Sequence, residues 1–232
     1  MTERMVKVES LLRKTKLTEE EFLEVINAEV QTSLQLGTEI TLSNPLGTTD
    51  VWVVADVNHD GTIGTVDLVA KNLIQDSTAN AYTTNNSYWG SSRVYRDSTI
   101  RSWLTGTYIT GFSTAIQNAL KTMDVITDGS DTVQDKIKLL SMNEVGFSNS
   151  DWGTIPTTVE GTRYPIFEKG DGFSARTKRK KYKANGSTAG WYWTRSRIAG
   201  YSGSVWGVGS YGSYSGSDYA NATGGVVAAV RF

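Results

Sequence analysis

Apolar residues recur at helical spacing through positions 1–36. A first short segment gathers Val8, Leu11 and Leu12 on one face. Thr18 and Glu21 then have the spacing of a capping box, and the apolar positions that follow are Phe22, Val25, Ile26 and Val30. Gly37 is expected to end the helical segment. We therefore predict an N-terminal helical segment over residues 1–37, which either packs on the main domain or serves in assembly.

From about Thr38 the pattern becomes typical of β structure. The run Thr49–Val57 is rich in valine and predicts a strand. Asn58–Gly61 is a turn signal, and residues 62–73 are expected to return as the hairpin partner. The polar stretch Gln75–Asn86 predicts a long loop.

The remaining pattern predicts short elements separated by polar segments. Helices are expected over Ser98–Leu104 and Phe112–Met123, and a short buried strand over Lys136–Met142. Asp151–Ser187 is predicted to be rich in loops. The closing strands of a core sheet are expected at Trp191–Ser196, Val205–Val208 and Val226–Phe232. This pattern favours an α+β domain over residues 38–232, with short antiparallel sheets and two helices.

The amino-acid composition excludes several kinds of functional site. Cysteine is absent, which removes disulfides, thiolate metal sites and a cysteine nucleophile. His59 is the one histidine, and the formal net charge is −1, so we expect neither an imidazole pair nor a chain-wide attraction to nucleic acid. No run approaches the roughly 18 apolar residues of a membrane span. The charged N-terminus lacks the pattern of a signal peptide, which predicts a protein that is cytoplasmic as synthesised.

Two polar runs allow more than one interpretation. The carboxylates and amide in Asp56–Asp67 match a calcium loop, through Asp56, Asn58, Asp60 and Asp67. The preceding β-branched strand favours a hairpin turn instead, so we expect no metal site. The basic run Arg176–Lys183 either attracts an anionic partner or is a solvated loop. Other carboxylates show no spacing that predicts acid–base catalysis: Asp97, Glu144, Asp151 and Glu160.

The interval 197–224 is dominated by tyrosine, serine and glycine. Antibody paratopes favour these residues because tyrosine offers a large contact area with few torsions to freeze, while serine and glycine adapt their hydrogen bonds. Apolar positions such as Val205, Trp206 and Val208 interrupt the run and suggest a buried framework. The candidate ligand-binding residues are Arg197, Ile198, Tyr201, Ser202, Ser204, Ser210, Tyr211, Ser213, Tyr214, Ser217, Asp218, Tyr219, Asn221 and Thr223.

An ordered set of motifs resembles a known family. They are Tyr88–Trp89, Ser98–Leu104, Asp135–Ser141, Trp191–Ser196 and Gly225–Val230. Together they look like a family of uncharacterised domains of gut bacteria and their phages, although Ala228 stands where that family usually has proline. The resemblance implies a C-type-lectin-like fold. The family it points to includes members that look like variable proteins of diversity-generating retroelements, which display a hypervariable C-terminal surface.

The resemblance also implies how the interval 197–224 would vary. Retroelement mutagenesis randomises adenines in AAC-type codons, which cannot become Lys, Glu, Gln, Met or Trp. The first four are absent between Arg197 and Gly224, and Trp206 is assigned to the framework. Formylglycine-generating enzymes share the broad fold, but their chemistry needs cysteines that this chain lacks.

These observations lead to one expected function and two alternatives. We expect a non-enzymatic, phage- or prophage-encoded receptor-binding protein without a cofactor, which recognises a protein or glycan ligand on a cell surface. It would bind no nucleic acid, insert in no membrane, and be compatible with a homo-oligomer or with association to a virion. The alternatives are a structural module of a phage particle and a relative of the formylglycine-generating enzymes.

Overall fold

The structure, a computed structural model, describes residues 3–74, 94–127, 131–147, 160–198, 204–219 and 224–232, with no side-chain description for 216–219. The helices are α1 (Glu3–Leu12), α2 (Glu19–Asn27), α3 (Thr99–Trp103), α4 (Thr114–Ala119) and α5 (Phe173–Arg179). The strands are β1 (Lys16–Leu17), β2 (Glu39–Ser43), β3 (Thr49–Val57), β4 (Val66–Ala70), β5 (Met123–Thr127), β6 (Asp131–Asp135), β7 (Ile137–Leu139), β8 (Lys181–Tyr182), β9 (Ala189–Gly190), β10 (Tyr192–Arg197), β11 (Ser204–Val208), β12 (Tyr214–Tyr219) and β13 (Ala228–Arg231).

A six-stranded sheet in the order β1-β2-β3-β4-β13-β7 forms the main layer. The β1–β2 pair is parallel and the other pairs are antiparallel. The C-terminal strand β13 is therefore an interior strand, hydrogen-bonded to β4 on one side and to β7 on the other. Its residues Ala228–Val230 are fully buried, which explains the unbroken apolar run at the end of the chain.

A separate three-stranded antiparallel sheet has the order β10-β11-β12. The described residues also form the hairpins β5–β6 and β8–β9. The protein is thus α+β with short, mainly antiparallel sheets. Of the three strands expected to close one core sheet, only β13 joins the main sheet, while β10 and β11 belong to the second.

Several local predictions are confirmed. The capping box at Thr18 and Glu21 is present at the start of α2. Strand β3 spans the residues predicted for it, and β4 returns as its antiparallel partner. Ser98 caps α3 through a hydrogen bond from the backbone N–H of Arg101. The predicted loop Gln75–Asn86 and the motif Tyr88–Trp89 lie outside the described residues.

The helix predicted over Phe112–Met123 is too long. Helix α4 ends at Ala119, and Leu120 is already extended, with ψ of 128°. The β-branched residues after Met123 enter the β5–β6 hairpin instead, since β-branched side chains pack well on a sheet surface. The loop-rich prediction for Asp151–Ser187 likewise missed α5, which contains part of the basic run.

The N-terminal segment contacts the main domain. Phe22 and Val25 of α2 are fully buried. The ring of Phe22 meets that of Phe232 edge to face, with centroids 4.8 Å apart. No helix within the described ranges is long and apolar enough to cross a membrane.

The two larger sheets are joined by the buried carboxylate of Glu144. Lys138 Nζ of β7 donates to Glu144 Oε1 at 2.7 Å. Arg195 of β10 donates from Nη1 to Oε2 at 2.5 Å and from Nη2 to Oε1 at 2.9 Å. Burial alone would raise the pKa of Glu144, but the charges of Arg195 and Lys138 outweigh it and lower that pKa to about 2. The carboxylate is therefore a counter-ion shared by both sheets.

Gly161 leaves room for this ion group. Its φ of +98° is unfavourable for other residues, and a Cβ there would lie 2.6 Å from Glu144 Oε1. Arg195 Nη2 also donates to the carbonyl oxygen of Glu160 at 2.6 Å, on the same segment. The segment before Tyr164 is thus closed tightly over the buried charges.

Replacing Glu144 with Gln tests this junction. The variant leaves two buried cations without their counter-ion, so we expect its free energy of unfolding to fall by about 3–5 kcal/mol at pH 7. The carboxylate stabilises the fold above the unfolded pKa of 4.5, and this contribution is lost as pH falls towards 2. Urea unfolding of both proteins at pH 7, 4 and 3 should therefore show a shrinking difference.

Glu20→Gln is the matched control, because Glu20 is exposed on α2. Its unfolding free energy should stay within about 0.5 kcal/mol of wild type. Equal unfolding midpoints for wild type and Glu144→Gln at pH 7 would contradict the junction.

Candidate functional site: the tyrosine hairpin and the basic helix

The β11–β12 hairpin presents two tyrosines to solvent. Its turn closes through Gly209, whose backbone N–H donates to the carbonyl oxygen of Ser213 at 2.7 Å. Tyr211 is 77% exposed at the turn, and Tyr214 at the start of β12 is 46% exposed. Both rings thus lie where a ligand can reach them.

Strand β11, the central strand of the second sheet, is a buried framework behind the turn. Val205, Trp206 and Val208 of β11 are buried. The Thr194 hydroxyl of β10 donates to the carbonyl oxygen of Trp206 at 2.7 Å, and the rings of Trp206 and Tyr214 meet edge to face at 6.4 Å. The exposed tyrosine is therefore supported by a ring that packs into the core.

Part of the basic run forms helix α5, and one of its cations is fully buried. Arg179 donates from Nε to the carbonyl oxygen of Gly212 at 2.8 Å, and from Nη2 to Asp171 Oδ1 at 2.9 Å. Its guanidinium lies 3.7 Å from the centre of the Phe147 ring. Arg179 consequently ties the hairpin turn to α5 and to the core beneath it.

Gly212 fits this contact for two reasons. Its φ of +78° is in the left-handed region, which suits glycine. A Cβ there would lie 1.9 Å from the carbonyl oxygen of Arg176. The turn and the helix backbone are therefore in direct contact.

The contact creates one continuous surface from two distant parts of the sequence. Lys180 Nζ lies 6.0 Å from the centre of the Tyr211 ring. Arg176 is exposed and pairs with Asp171 at 2.5 Å, and Phe173 is 89% exposed. We call Phe173, Arg176, Lys180, Tyr211 and Tyr214 the helix–hairpin surface. Its rings and cations suit stacking and hydrogen bonding to a polar ligand.

The predicted binding residues divide according to their positions. Tyr211 and Tyr214 are exposed, and the partly exposed candidates are Arg197, Ser210 and Ser213. The candidates that lie outside the described residues are Tyr201, Ser202, Asn221 and Thr223. Ser217, Asp218 and Tyr219 lie on β12, where only the backbone is described.

Two of the predicted binding residues are buried and do not belong to an exposed surface. Ile198 is 5% exposed and Ser204 is 7% exposed. The backbone N–H of Ile198 donates to the carbonyl oxygen of Ser204 at 3.3 Å, where β10 and β11 pair. Their sequence context resembles that of their exposed neighbours, so only the strand pairing separates them.

The residues of the candidate calcium loop have other partners. Asp67 forms a buried ion pair with Arg231, whose Nε lies 2.6 Å from Oδ1. Asp56 Oδ2 lies 2.7 Å from Nδ1 of His59, and Asn58 Oδ1 accepts the backbone N–H of Gly64 at 2.8 Å. Within the described ranges, no group of three acidic or histidine side chains is placed to hold a metal ion. The loop is the turn between β3 and β4.

The scattered carboxylates are partly brought together. Glu144 and Glu160 flank β10, where Ser196 Oγ donates to the Glu160 carboxylate and Arg195 pairs with Glu144. Sequence reasoning missed this ion group because Arg195 is 51 residues from Glu144, although Lys138 is only 6 residues away. A signal was present in the two motifs Asp135–Ser141 and Trp191–Ser196, which contain both cations.

Gly212→Ala tests whether the hairpin depends on α5. The added methyl group must move the turn away from Arg176, so we expect a loss of about 1–3 kcal/mol in the free energy of unfolding. Thermal unfolding measures it, at roughly 2–4 °C per kcal/mol for a chain of this size. In Gly209→Ala, the control, the nearest heavy atoms to the added Cβ are 3.4 Å away. Equal losses in both variants would contradict the close contact.

Comparison with known proteins gives a family. Residues 64–231, well over half of the chain, match the family described as Domain of unknown function (DUF6273). The matched range contains the motifs Ser98–Leu104, Asp135–Ser141 and Trp191–Ser196 as well as the helix–hairpin surface. The comparisons with curated proteins and with solved structures returned no match. The chain therefore belongs to the DUF6273 family.

Proposed function

We propose that this protein is a non-enzymatic ligand-recognition protein that binds a protein or glycan on a cell surface through its C-terminal surface. The observation that carries the proposal is the exposure of Tyr211 and Tyr214 on a hairpin fixed to α5. An exposed aromatic pair on a fixed backbone is an arrangement that suits recognition better than core packing.

Pre-ordering increases the affinity of such a surface. Binding loses less entropy when the contact residues are already held in place. Arg179 holds the turn at Gly212, and Trp206 supports the Tyr214 ring. A tyrosine anchor desolvated at an interface contributes on the order of 2 kcal/mol or more. Two anchors on one hairpin are enough to make the surface a useful binding site.

The proposal extends to the origin of the surface. The resemblance to C-type-lectin-fold variable proteins of diversity-generating retroelements supports a C-type-lectin-like fold and a phage or prophage gene. The absence of Lys, Glu, Gln and Met between Arg197 and Gly224 supports variation from AAC-type codons. The second sheet suits a variable surface on a constant framework, since its buried β11 residues lie beneath an exposed turn.

A structural role in a particle is the second candidate. Helix α1 exposes Met5 and Val6, at 45% and 54%. Exposed apolar residues on a terminal helix favour contact with another chain. In that case the N-terminal helices would carry the function, and the tyrosine hairpin would vary without consequence for binding.

The double variant Tyr211→Ala/Tyr214→Ala separates these candidates. We expect attachment of the labelled protein to fall at least about tenfold, in flow cytometry of intact bacterial cells and on a glycan array, because both anchors are lost. The melting temperature should fall by about 4 °C at most, since Tyr211 is 77% exposed and Tyr214 loses one edge-to-face contact with Trp206. Ile63→Ala, which removes an 89% exposed apolar side chain elsewhere, is the control and should bind normally.

Unchanged attachment of the double variant to cells that bind wild type would contradict the proposed surface. A large drop in its melting temperature would instead indicate that the rings stabilise the fold.

Sequencing of related genes tests the diversification. We expect differences to concentrate at adenine positions of codons 197–224, with a near-copy of that stretch beside a reverse transcriptase gene. Framework codons such as that of Trp206 should not vary. Differences spread evenly along the gene would contradict the retroelement origin and leave the binding proposal to the tyrosine variants.

A further inference from the structure

A cavity of about 540 Å³ lies between the end of β4, the segment 165–168 and the junction of α5 with β8. Lysines from two parts of the chain line it, namely Lys71 after β4 and Lys178, Lys180 and Lys181 at the junction of α5 with β8. Only Lys180 is shared with the helix–hairpin surface. The cavity is thus a separate cationic feature next to that surface.

Lys181 is the unusual member of this group. It is 4% exposed, and its Nζ donates to the carbonyl oxygen of Ala70 at 2.6 Å. Nζ also lies 5.7 Å from the centre of the Phe167 ring. Among the described residues, no carboxylate lies within ion-pair distance of Lys181, so this ammonium has only neutral partners there. Burial, with a smaller effect from the charge of Lys71, lowers the pKa of Lys181 to about 7.

The neighbouring charges do not supply the missing counter-ion. Lys71 pairs with Glu39 at 2.5 Å. Glu168 is the one carboxylate among the lining residues, and it accepts a hydrogen bond from the Ser174 hydroxyl at 2.8 Å. The lining thus holds four lysine side chains against one carboxylate.

We propose that this cavity binds an oxyanion group, a sulfate, phosphate or carboxylate, with Lys181 as its buried cation. An ammonium has three donors, and Ala70 accepts from one of them, so Nζ keeps two for an anion. Lys178 and Lys180 bring further positive charge to the same cavity. Attraction between opposite charges is stronger in a partly buried site than in water. An anion would therefore relieve the cost of burying Lys181.

This inference goes beyond the proposed recognition function and does not depend on it. The tyrosines of the hairpin do not line the cavity. The anion is a free inorganic ion or the charged group of an acidic sugar, and both share the same chemistry.

Thermal unfolding in sodium sulfate, compared with sodium chloride at equal ionic strength, tests the cavity. At pH 7 we expect sulfate at about 100 times its Kd to raise the melting temperature of wild type by roughly 5–10 °C. Lys181→Met, whose side chain is similar in length but uncharged, should lose this rise in melting temperature. Lys121→Met is the matched control, because Lys121 Nζ also donates to a backbone carbonyl, that of Gly64 at 2.9 Å, away from the cavity.

Equal sulfate increments in wild type, Lys181→Met and Lys121→Met would overturn the proposal, because a general salt effect does not depend on one buried ammonium. If Lys181→Met does not fold, the exposed Lys178→Gln replaces it, and its sulfate affinity should fall at least threefold. An unchanged sulfate affinity of Lys178→Gln would also overturn the proposal that the cavity binds an anion.

Two further arms give the source of the anion and separate this inference from the recognition function. Glucosamine 6-sulfate that binds at least tenfold more tightly than inorganic sulfate, by calorimetry, supports a sugar-borne group in the cavity, and equal affinity supports the free anion. Tyr211→Ala/Tyr214→Ala should keep the full sulfate increment. Loss of cell attachment with a retained increment leaves both proposals standing, whereas a lost increment in this variant contradicts the separate cavity.

Discussion

The buried ion group around Glu144 is the interaction on which the arrangement of the two larger sheets depends. Lys138 comes from the edge of the main sheet and Arg195 from the edge of the second, and both donate to one carboxylate. A buried charge without a partner is costly, whereas a paired and hydrogen-bonded one is tolerated. The ion group therefore favours this relative position of the sheets, together with backbone contacts such as the Arg195 N–H, which donates to the carbonyl oxygen of Leu140 at 2.9 Å. Gly161 allows the chain to close over them, since any side chain there would meet the carboxylate.

A series of strand pairings and side-chain contacts connects this junction to the helix–hairpin surface. Strand β10, which carries Arg195, pairs with β11, and β11 pairs with β12 across the exposed turn. Arg179 of α5 then fixes that turn through Gly212. The basic run thus has three roles, because Arg179 is a buried tie to the turn, Lys181 lines the cavity and Arg176 faces solvent. Charge that looks uniform in sequence is divided between a structural tie, a cavity and a surface.

Sequence reasoning succeeded where local chemistry decides the structure. The capping box at Thr18, the valine-rich β3 and the turn after it all depend on neighbouring residues. It failed at Leu120–Met123, where the chain leaves the helix and enters the β5–β6 hairpin, and at the basic run, where α5 replaces the expected loop. For the candidate site, the exposed positions of Tyr211 and Tyr214 lie in the predicted interval. The burial of Ile198 and Ser204 could not be predicted, because it depends on which strands pair.

The sequence by itself determined the α+β class, the positions of several elements and the composition of the C-terminal interval, because periodicity, caps and turn residues act over short distances. Only the tertiary structure decided that the tyrosine hairpin meets the basic helix and that Glu144 pairs with Lys138 and Arg195. Most of these contacts join residues far apart in the chain, such as Arg179 with Gly212 and Glu144 with Arg195. Their geometry follows from how the sheets pack, which no local pattern encodes.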